Sequence, residues 1–205
     1  MEIACLDLEG VLIPEIWIKV AEKTGIDGLK RTTRDEPDYD VLMRYRLDLL
    51  KEHYLGITEI QEVIATLTPL NGAVEFVDWL RARFQVVILS DTFYEFAQPF
   101  MRQLGYPTLL CHRLVVDEQS RIVDYSLRQE NPKRQAIVGF KSMYYRTIAT
   151  GDSYNDTTML TEADAGILFN APQRVIDEFP QFPSVTGYGD LKRQFLKASD
   201  RDLTL

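Results

Sequence analysis

Four acidic residues have the types and spacing to bind a metal ion. Asp7 and Glu9 lie two residues apart in the apolar segment EIACLDLEGVLI, and Asp152 and Asp156 follow a second apolar run, YRTIATGD. Carboxylates a few ångströms apart cannot all ionise unless a cation compensates their charge. Mg²⁺ prefers oxygen ligands and needs only one or two carboxylates besides phosphate and water. If the fold brings these acids together, they predict a Mg²⁺ site that recruits a phosphate group.

A simpler interpretation of the acids is that Asp often caps a helix that follows a strand. This alternative suits Asp156 taken alone better than it suits Asp7 and Asp152 taken together. Lys133 adds to the case for a phosphate site, since it follows Asn131-Pro132, a pair that predicts the start of a helix. A cation in a first helical turn opposes the helix dipole unless an anion such as phosphate lies between them. The alternative is a solvated surface lysine.

Five apolar runs predict the β-strands that position these residues. The runs lie at about 2–8, 85–90, 108–112, 145–152 and 165–169, and they alternate with helical patterns, one of which we expect Asn71 to cap. Strands that are apolar throughout imply a mainly parallel sheet with both faces covered, a doubly wound α/β fold of Rossmann type. The ligand crevice of such a sheet lies beyond the carboxyl ends of its strands. Ser90 and Asp91 end the second run, so we expect them near Asp7 and Asp152.

Two further segments predict additions to the sheet. Residues 14–68 are more charged, have helical periodicity and are too many for a simple crossover. We therefore predict a core domain of residues 1–13 and 69–205 with a helical cap of residues 14–68, in which we interpret His53 as a core residue. Two alternating runs at about 113–126 predict a β-hairpin, which either covers the site or pairs with a second copy in a homodimer.

The cap contains residues that could recognise an amino acid. Arg46 is a cation on an otherwise apolar helical face, and its planar guanidinium can clamp a carboxylate with two hydrogen bonds. Glu15, just past the first strand, could bind an ammonium group, so the pair fits a zwitterion. The alternatives are a snorkelling side chain for Arg46 and a first-turn helix acid for Glu15. We interpret Trp17 as a packing residue.

Composition restricts the partners. The formal charge of −8 argues against nucleic acid and against an anionic membrane surface. Cys5 and Cys111 are the only cysteines, which does not suit a disulfide framework. The N-terminus lacks a basic region before its apolar run, and no apolar stretch approaches about 18 residues. We expect a cytoplasmic protein that acts on small molecules.

The motifs, in their order, resemble those of a known family. DLEGV at 7–11, Ser90, Lys133 and GDSYND at 151–156 are similar to the four motifs of the haloacid-dehalogenase superfamily of phosphotransferases. The helical cap after the first motif resembles the phosphoserine phosphatase branch, including members that also transfer the phosphoryl group to homoserine. The resemblance implies a phosphoserine phosphatase and phosphoserine:homoserine phosphotransferase that requires Mg²⁺.

The resemblance also implies a role for each motif residue. Asp7 is the nucleophile that forms an aspartyl-phosphate, and Glu9 is the general acid and base. Mg²⁺ binds to Asp7, to the main-chain carbonyl of Glu9 and to Asp152, while Asp156 orients a water of the metal. The residues that contact the phosphate or the substrate are Glu15, Arg46, Ser90, Asp91, Lys133 and Asn155.

The chain departs from the family pattern at two points. Most members have Asp where this chain has Glu9, and phosphoserine phosphatases tend to have glycines where Asp91 and Thr92 follow Ser90 here. Our hypothesis is that the longer Glu9 side chain favours transfer to an alcohol over hydrolysis. A plain phosphatase for another small phosphoester stays open. A receiver-type signalling module fits less well, since it lacks both the insertion and an acid two residues after its acceptor Asp.

Overall fold

A single seven-stranded sheet forms the centre of the protein. The computed structural model describes residues 1–32, 35–36 and 38–204. The strands within them are β1 (Glu2–Leu6), β2 (Gln85–Phe93), β3 (Thr108–Val116), β4 (Ile122–Ser126), β5 (Arg146–Gly151), β6 (Ala165–Phe169) and β7 (Ser184–Val185). Their order in the sheet is β4-β3-β2-β1-β5-β6-β7, and only β4 is antiparallel to its neighbour. The predicted doubly wound, mainly parallel sheet is confirmed.

Nine α-helices lie in the described part of the chain. They are α1 (Ile16–Thr24), α2 (Tyr39–Glu52), α3 (Ile57–Ala65), α4 (Ala73–Arg81), α5 (Tyr94–Gln103), α6 (Pro132–Ser142), α7 (Thr157–Glu162), α8 (Gln173–Glu178) and α9 (Tyr188–Ala198). Short 3₁₀ turns cover Asp27–Lys30 and Tyr154–Asp156. Helices α1 to α3 all fall within residues 14–68, the predicted cap. None of the described helices is both long and apolar enough to cross a membrane.

Strand β1 occupies the middle of the sheet, which explains its apolar sequence. It pairs in parallel with β2 on one side and with β5 on the other, and all five of its residues are buried. Successive side chains of a strand point to opposite faces. Accordingly, Ala4 and Leu6 belong to the apolar cluster on one face, whereas Ile3 and Cys5 belong to the cluster on the other. The residue that follows β1, Asp7, is therefore at the centre of the carboxyl edge.

The helices of residues 14–68 share their apolar packing with the rest of the protein. The cluster that contains Leu6 continues through Val20 of α1 and Ile60 of α3. The ring of Trp17 meets the ring of Phe96 edge to face, with 5.1 Å between ring centroids. This continuous core fixes the three helices against the carboxyl edge of the sheet.

The predicted hairpin is formed by β3 and β4, and it is fastened to the same helices. Arg44 Nη1 of α2 donates to Asp124 Oδ1 of β4 at 2.7 Å. The main-chain N–H of Ile57, at the start of α3, donates to the carbonyl oxygen of Ser120 in the hairpin turn at 2.8 Å. The hairpin therefore braces the segment 14–68 from the side. Pairing with a second copy stays a prediction.

Three local predictions need correction. Strand β2 runs three residues past its predicted end at Ser90, because Phe93 pairs with His112 of β3 after a register shift. Asn71 does not cap α4, since Gly72 takes the N-cap position with a φ of 88°. His53 is exposed and is not a core residue, because α2 ends at Glu52 before its buried face reaches that position.

Candidate active site

The carboxyl ends of β1, β2 and β5 converge on one cavity of about 410 Å³. Helices of residues 14–68 close its opposite side. The predicted site residues among its lining are Asp7, Glu9, Glu15, Arg46, Ser90, Asp91, Lys133, Asp152 and Asn155. Asp156 is the predicted site residue outside this lining, since it lies fully buried behind it.

A tight turn after β1 brings Asp7 close to the end of β5. The N–H of Asp7 donates to the carbonyl oxygen of Thr150 at 3.0 Å, so the two strand ends are joined directly. Gly10 has a φ of +77°, and a Cβ atom built on it would lie 2.5 Å from the Asp152 carboxylate. A side chain at residue 10 would therefore fill the space that Asp152 occupies. Gly151 has the same relation to Asp156, whose carboxylate would overlap an added Cβ atom.

Lys133 is the cation at the base of the cavity. It is the second residue of α6, which begins at Pro132 as predicted, although the side chain of Asn131 makes no capping hydrogen bond. Its Nζ lies 3.0 Å from Asp7 Oδ1, 3.1 Å from Asp91 Oδ2 and 2.8 Å from Asp156 Oδ1. With a side chain only 3% exposed, it is not a surface lysine.

The carboxylates around Lys133 shift one another's protonation. Burial raises the pKa of Asp7 well above its usual range, and Asp156 adds to the rise while Lys133 opposes it. Burial alone would lower the pKa of Lys133, but Asp156, Asp7 and Asp91 together raise it well above its ordinary value. Lys133 therefore stays positively charged. Its single charge does not balance the negative charge of the surrounding carboxylates.

The same acids form a donor set suited to a hard divalent cation. Carboxylate oxygens of Asp7, Asp152 and Asp156 all lie within 4.8 Å of one another. Both carboxylate oxygens of Asp156 already have hydrogen-bond partners, because its Oδ1 binds Lys133 and its Oδ2 accepts the N–H of Asp152 at 2.9 Å. Close oxygen donors with too little compensating charge fit Mg²⁺. The glycine at position 10 keeps the space beside Asp152 open.

Glu9 stands between this cluster and the helices above it. Its Oε2 accepts the N–H of Ile16, the first residue of α1, at 2.8 Å. Burial, followed by the neighbouring charge of Glu15, raises the pKa of Glu9 to about 7. Hydrogen bonds from Ile16 and Thr92 oppose this rise. A carboxyl with a pKa near neutrality can both donate and accept a proton, as general acid–base catalysis requires.

Arg46 forms the upper wall of the cavity. Its side chain is buried, and its guanidinium lies 4.6 Å from the ring centroid of Trp17. Nη2 donates to the carbonyl oxygen of Arg31 at 2.7 Å, whereas Nε has no hydrogen-bond partner among the described residues. Burial lowers the pKa of Arg46 to about 10, so it stays charged. Trp17 is thus more than a packing residue, because it supports the cation against the cavity.

The profile of the haloacid dehalogenase-like hydrolase family matches residues 1–164. This chain belongs to that family. The matched range includes the carboxyl ends of β1, β2 and β5 and Lys133 of α6.

Two close relatives cover the whole chain. Phosphoserine phosphatase ThrH of Pseudomonas aeruginosa is 74% identical over 205 residues, which is 100% of each chain. A phosphoserine phosphatase of Pseudomonas syringae pv. tomato is 71% identical over 205 residues, which is 100% of this chain and 86% of the relative.

Solved structures show the same fold. A phospho-aspartyl intermediate analogue of phosphoserine phosphatase has a TM-score of 0.77 at 22% identity and covers 94% of this chain and 98% of its own. Phosphoserine phosphatase in apo form has a TM-score of 0.76 at 24% identity, and the match covers 96% of this chain and 98% of that structure's chain. At identities of 22% and 24%, the similarity establishes the fold of this haloacid dehalogenase-like hydrolase, but not its substrate.

Three residues at the site were not among the predicted site residues. Tyr39 lines the cavity, and its hydroxyl donates to the carbonyl oxygen of Asp91 at 3.4 Å. Thr92 also lines the cavity. His112 lies behind Asp91, with Nε2 3.7 Å from Asp91 Oδ1. His112 ends the predicted strand 108–112, so the rule that located Ser90 and Asp152 could have found it.

Proposed function

We propose that this haloacid dehalogenase-like hydrolase is a Mg²⁺-dependent phosphoserine phosphatase that forms an aspartyl-phosphate on Asp7. It passes the phosphoryl group to homoserine as well as to water. The observation that carries the proposal is that Asp7 and Arg46, a nucleophile and a carboxylate clamp, line the same cavity. Support also comes from the 74% and 71% identical relatives, both of which are phosphoserine phosphatases.

In this proposal Asp7, the main-chain carbonyl of Glu9 and Asp152 hold the metal ion. When bound, Mg²⁺ neutralises negative charge on the phosphoryl group. Asp156 acts from behind, since it binds Lys133 and the N–H groups of Asp152 and Ser153. It therefore fixes the positions of the residues that meet the substrate.

The first half of the reaction transfers the phosphoryl group to the enzyme. A carboxylate oxygen of Asp7 attacks phosphorus, and the bond between phosphorus and the serine oxygen breaks. Glu9 gives its proton to the departing oxygen, a contribution of typically about 10²–10⁴-fold in rate. Lys133 and Ser90 hold the phosphoryl oxygens. The products of this half are serine and an acyl phosphate on Asp7.

The second half uses the same groups in reverse. Glu9, now ionised, takes the proton from the hydroxyl of water or of homoserine. The oxygen of that acceptor attacks phosphorus, and the bond to Asp7 breaks. Water yields inorganic phosphate and homoserine yields phosphohomoserine. Both routes regenerate the free Asp7 carboxylate and protonated Glu9.

The helices of residues 14–68 act in this proposal as a cap domain that recognises the amino acid. Arg46, supported by Trp17, binds the carboxylate of the substrate with its fork of N–H donors. Glu15 lies at the N-terminal end of α1, exposed and on the cavity wall, and binds the ammonium group. Together they favour an amino-acid phosphoester over a simple one.

The test is an assay of phosphoserine with and without homoserine in Mg²⁺, with phosphate and phosphohomoserine measured separately. We expect both products, with phosphohomoserine formed at the expense of phosphate as homoserine rises. Phosphate alone would leave a phosphatase without transfer. Turnover of other small phosphoesters but not phosphoserine would favour the plain phosphatase. Asp7→Asn is the control, and it should abolish every product.

A further inference from the structure

Lys133 has three carboxylate neighbours, and it donates hydrogen bonds to two of them, Asp7 and Asp156. Asp7, Asp91 and Asp156 each place a carboxylate oxygen within 3.1 Å of its Nζ. An ammonium group offers only three donors. Asp7 and Asp156 use two of them, so a phosphoryl oxygen that binds Lys133, as the proposed function requires, takes the third and competes there with Asp91 at 3.1 Å.

Asp91 is the carboxylate most open to replacement. Its side chain is 31% exposed and lines the cavity, whereas those of Asp7 and Asp156 are 5% and 0% exposed. Asp7 is the proposed nucleophile, and Asp156 is held by two main-chain N–H groups as well. Burial would raise the pKa of Asp91, but Lys133 and Asn155 hold it below its usual range, so it remains an anion.

Asp91 already has other partners beside Lys133. Its Oδ2 accepts from Asn155 Nδ2 at 2.9 Å, and its Oδ1 faces His112 Nε2 at 3.7 Å. The second distance is longer than a hydrogen bond. A shift of Asp91 by less than about 1 Å toward His112 would bring the two atoms within hydrogen-bond distance.

The environment of His112 fixes which nitrogen carries the proton. The imidazole is buried at 3% exposure, and its Nδ1 accepts the main-chain N–H of Arg128 at 3.0 Å. Burial lowers the pKa of His112, and Asp91 opposes this only in part. In the neutral ring the proton therefore sits on Nε2, which points toward Asp91.

We propose that His112 is a positioning residue that receives the Asp91 carboxylate when a phosphoryl oxygen takes its place on Lys133. This inference rests on the proposed function. Asp91 neutralises Lys133 until phosphate arrives and then moves to Nε2–H of His112, while it keeps its hydrogen bond from Nδ2 of Asn155. Without that receiving donor, displaced Asp91 would remain a negative charge facing the phosphate. His112 thereby strengthens phosphate binding without touching the substrate.

Two variants distinguish this role of His112 from a purely structural role, in which its Nδ1 holds the main chain at Arg128. His112→Gln keeps an N–H donor at the position of Nε2 but loses the acceptor for Arg128. His112→Asn keeps an acceptor at the position of Nδ1 but loses the donor to Asp91. The readouts are calorimetric binding of inorganic phosphate in Mg²⁺ and KM for phosphoserine. Thermal unfolding reports whether each variant is folded.

We expect His112→Asn to weaken phosphate binding and raise KM by about tenfold, with a smaller change in kcat, and His112→Gln to stay within about threefold of wild type. Weakened phosphate binding in His112→Gln but not in His112→Asn would overturn the proposal. It would show that His112 acts by holding the main chain at Arg128. Equal binding in both variants and wild type would also overturn the proposal. His53→Asn, at the exposed second histidine, is the matched control.

A double-mutant cycle tests whether the effect passes through Asp91. In an Asp91→Asn background there is no charge to receive, so we expect His112→Asn to change phosphate affinity by less than about twofold. An undiminished tenfold loss there would overturn the proposal. Phosphate binding does not depend on turnover, so these outcomes can be distinguished from failure of the proposed function, which would appear as a wild-type enzyme that does not hydrolyse phosphoserine.

Discussion

Glu9 is hydrogen-bonded to the first residue of α1, since its Oε2 accepts the N–H of Ile16 at 2.8 Å. The residue that follows β1 by three positions is thus joined to the beginning of α1. An aspartate at position 9 would be one methylene shorter and would not reach this N–H unless the main chain moved. The bond gives a physical reason for a glutamate where most members of the family have an aspartate.

Replacement of Glu9 by aspartate should change which acceptor is used. We expect Glu9→Asp to lower the ratio of phosphohomoserine to phosphate by about 10–200-fold, because one methylene is worth about 1–3 kcal/mol of discrimination. Both products are measured in the same reaction. Glu9→Gln should slow both routes by about 10²–10⁴-fold, since it cannot transfer a proton. An unchanged ratio in Glu9→Asp would remove the hypothesis that Glu9 favours transfer.

The raised pKa of Glu9 predicts how activity depends on pH. With a pKa of about 7, Glu9 is mostly protonated below neutrality and can protonate the leaving serine. We therefore expect kcat/KM for phosphoserine to fall as the pH rises through about 7. Glu15 contributes to the raised pKa, so Glu15→Gln should move this decline to lower pH. A decline that stayed in place or moved to higher pH would contradict the assignment.

Arg46 should determine affinity for the amino-acid part of the substrate. Arg46→Lys keeps a positive charge but loses the planar fork, so we expect KM for phosphoserine to rise by about 10–100-fold. Turnover of p-nitrophenyl phosphate, which has no carboxylate, should change by less than about threefold. Arg44→Lys, at an exposed arginine of the same helix, is the control. Equal losses on both substrates would show that Arg46 supports the fold and does not select the substrate.

Gly10 should be essential for the metal site. Gly10→Ala would place a Cβ atom 2.5 Å from the Asp152 carboxylate at a φ of +77°, so we expect Mg²⁺ affinity and turnover to fall by at least about 100-fold. Gly25→Ala is a matched control, because its φ is +75° and no atom lies within 4 Å of an added Cβ. The control should lose only about 1–2 kcal/mol of stability. Similar activity in the two variants would refute the steric argument.

The sequence was sufficient to predict that Asp7, Ser90 and Asp152 converge at one edge of the sheet. Each of the three follows an apolar run, and parallel strands bring such ends to one edge. Arg46 was recognisable because a charge stood on an apolar helical face. These signals are local in the sequence, and the topology of the sheet converts them into a common location.

Other features depend on contacts that no local pattern encodes. The extension of β2 follows from the pairing of Phe93 with His112, which are distant in sequence. His53 shows the opposite error, since its helical spacing was correct but the helix ended first. The N-cap of α4 is Gly72 and not Asn71, because the chain adopts a left-handed backbone conformation at Gly72, with a φ of 88°. Such outcomes are decided by tertiary packing and turn geometry.

The bond between Arg44 and Asp124 has a consequence for the order of folding. It joins segments 80 residues apart, and closing so long a loop costs conformational entropy before any contact is gained. The hairpin and α2 can each form from local contacts, whereas their attachment requires closure of the long loop between them. We therefore expect this junction to form late during refolding. In native-state hydrogen exchange it should open more readily than β1.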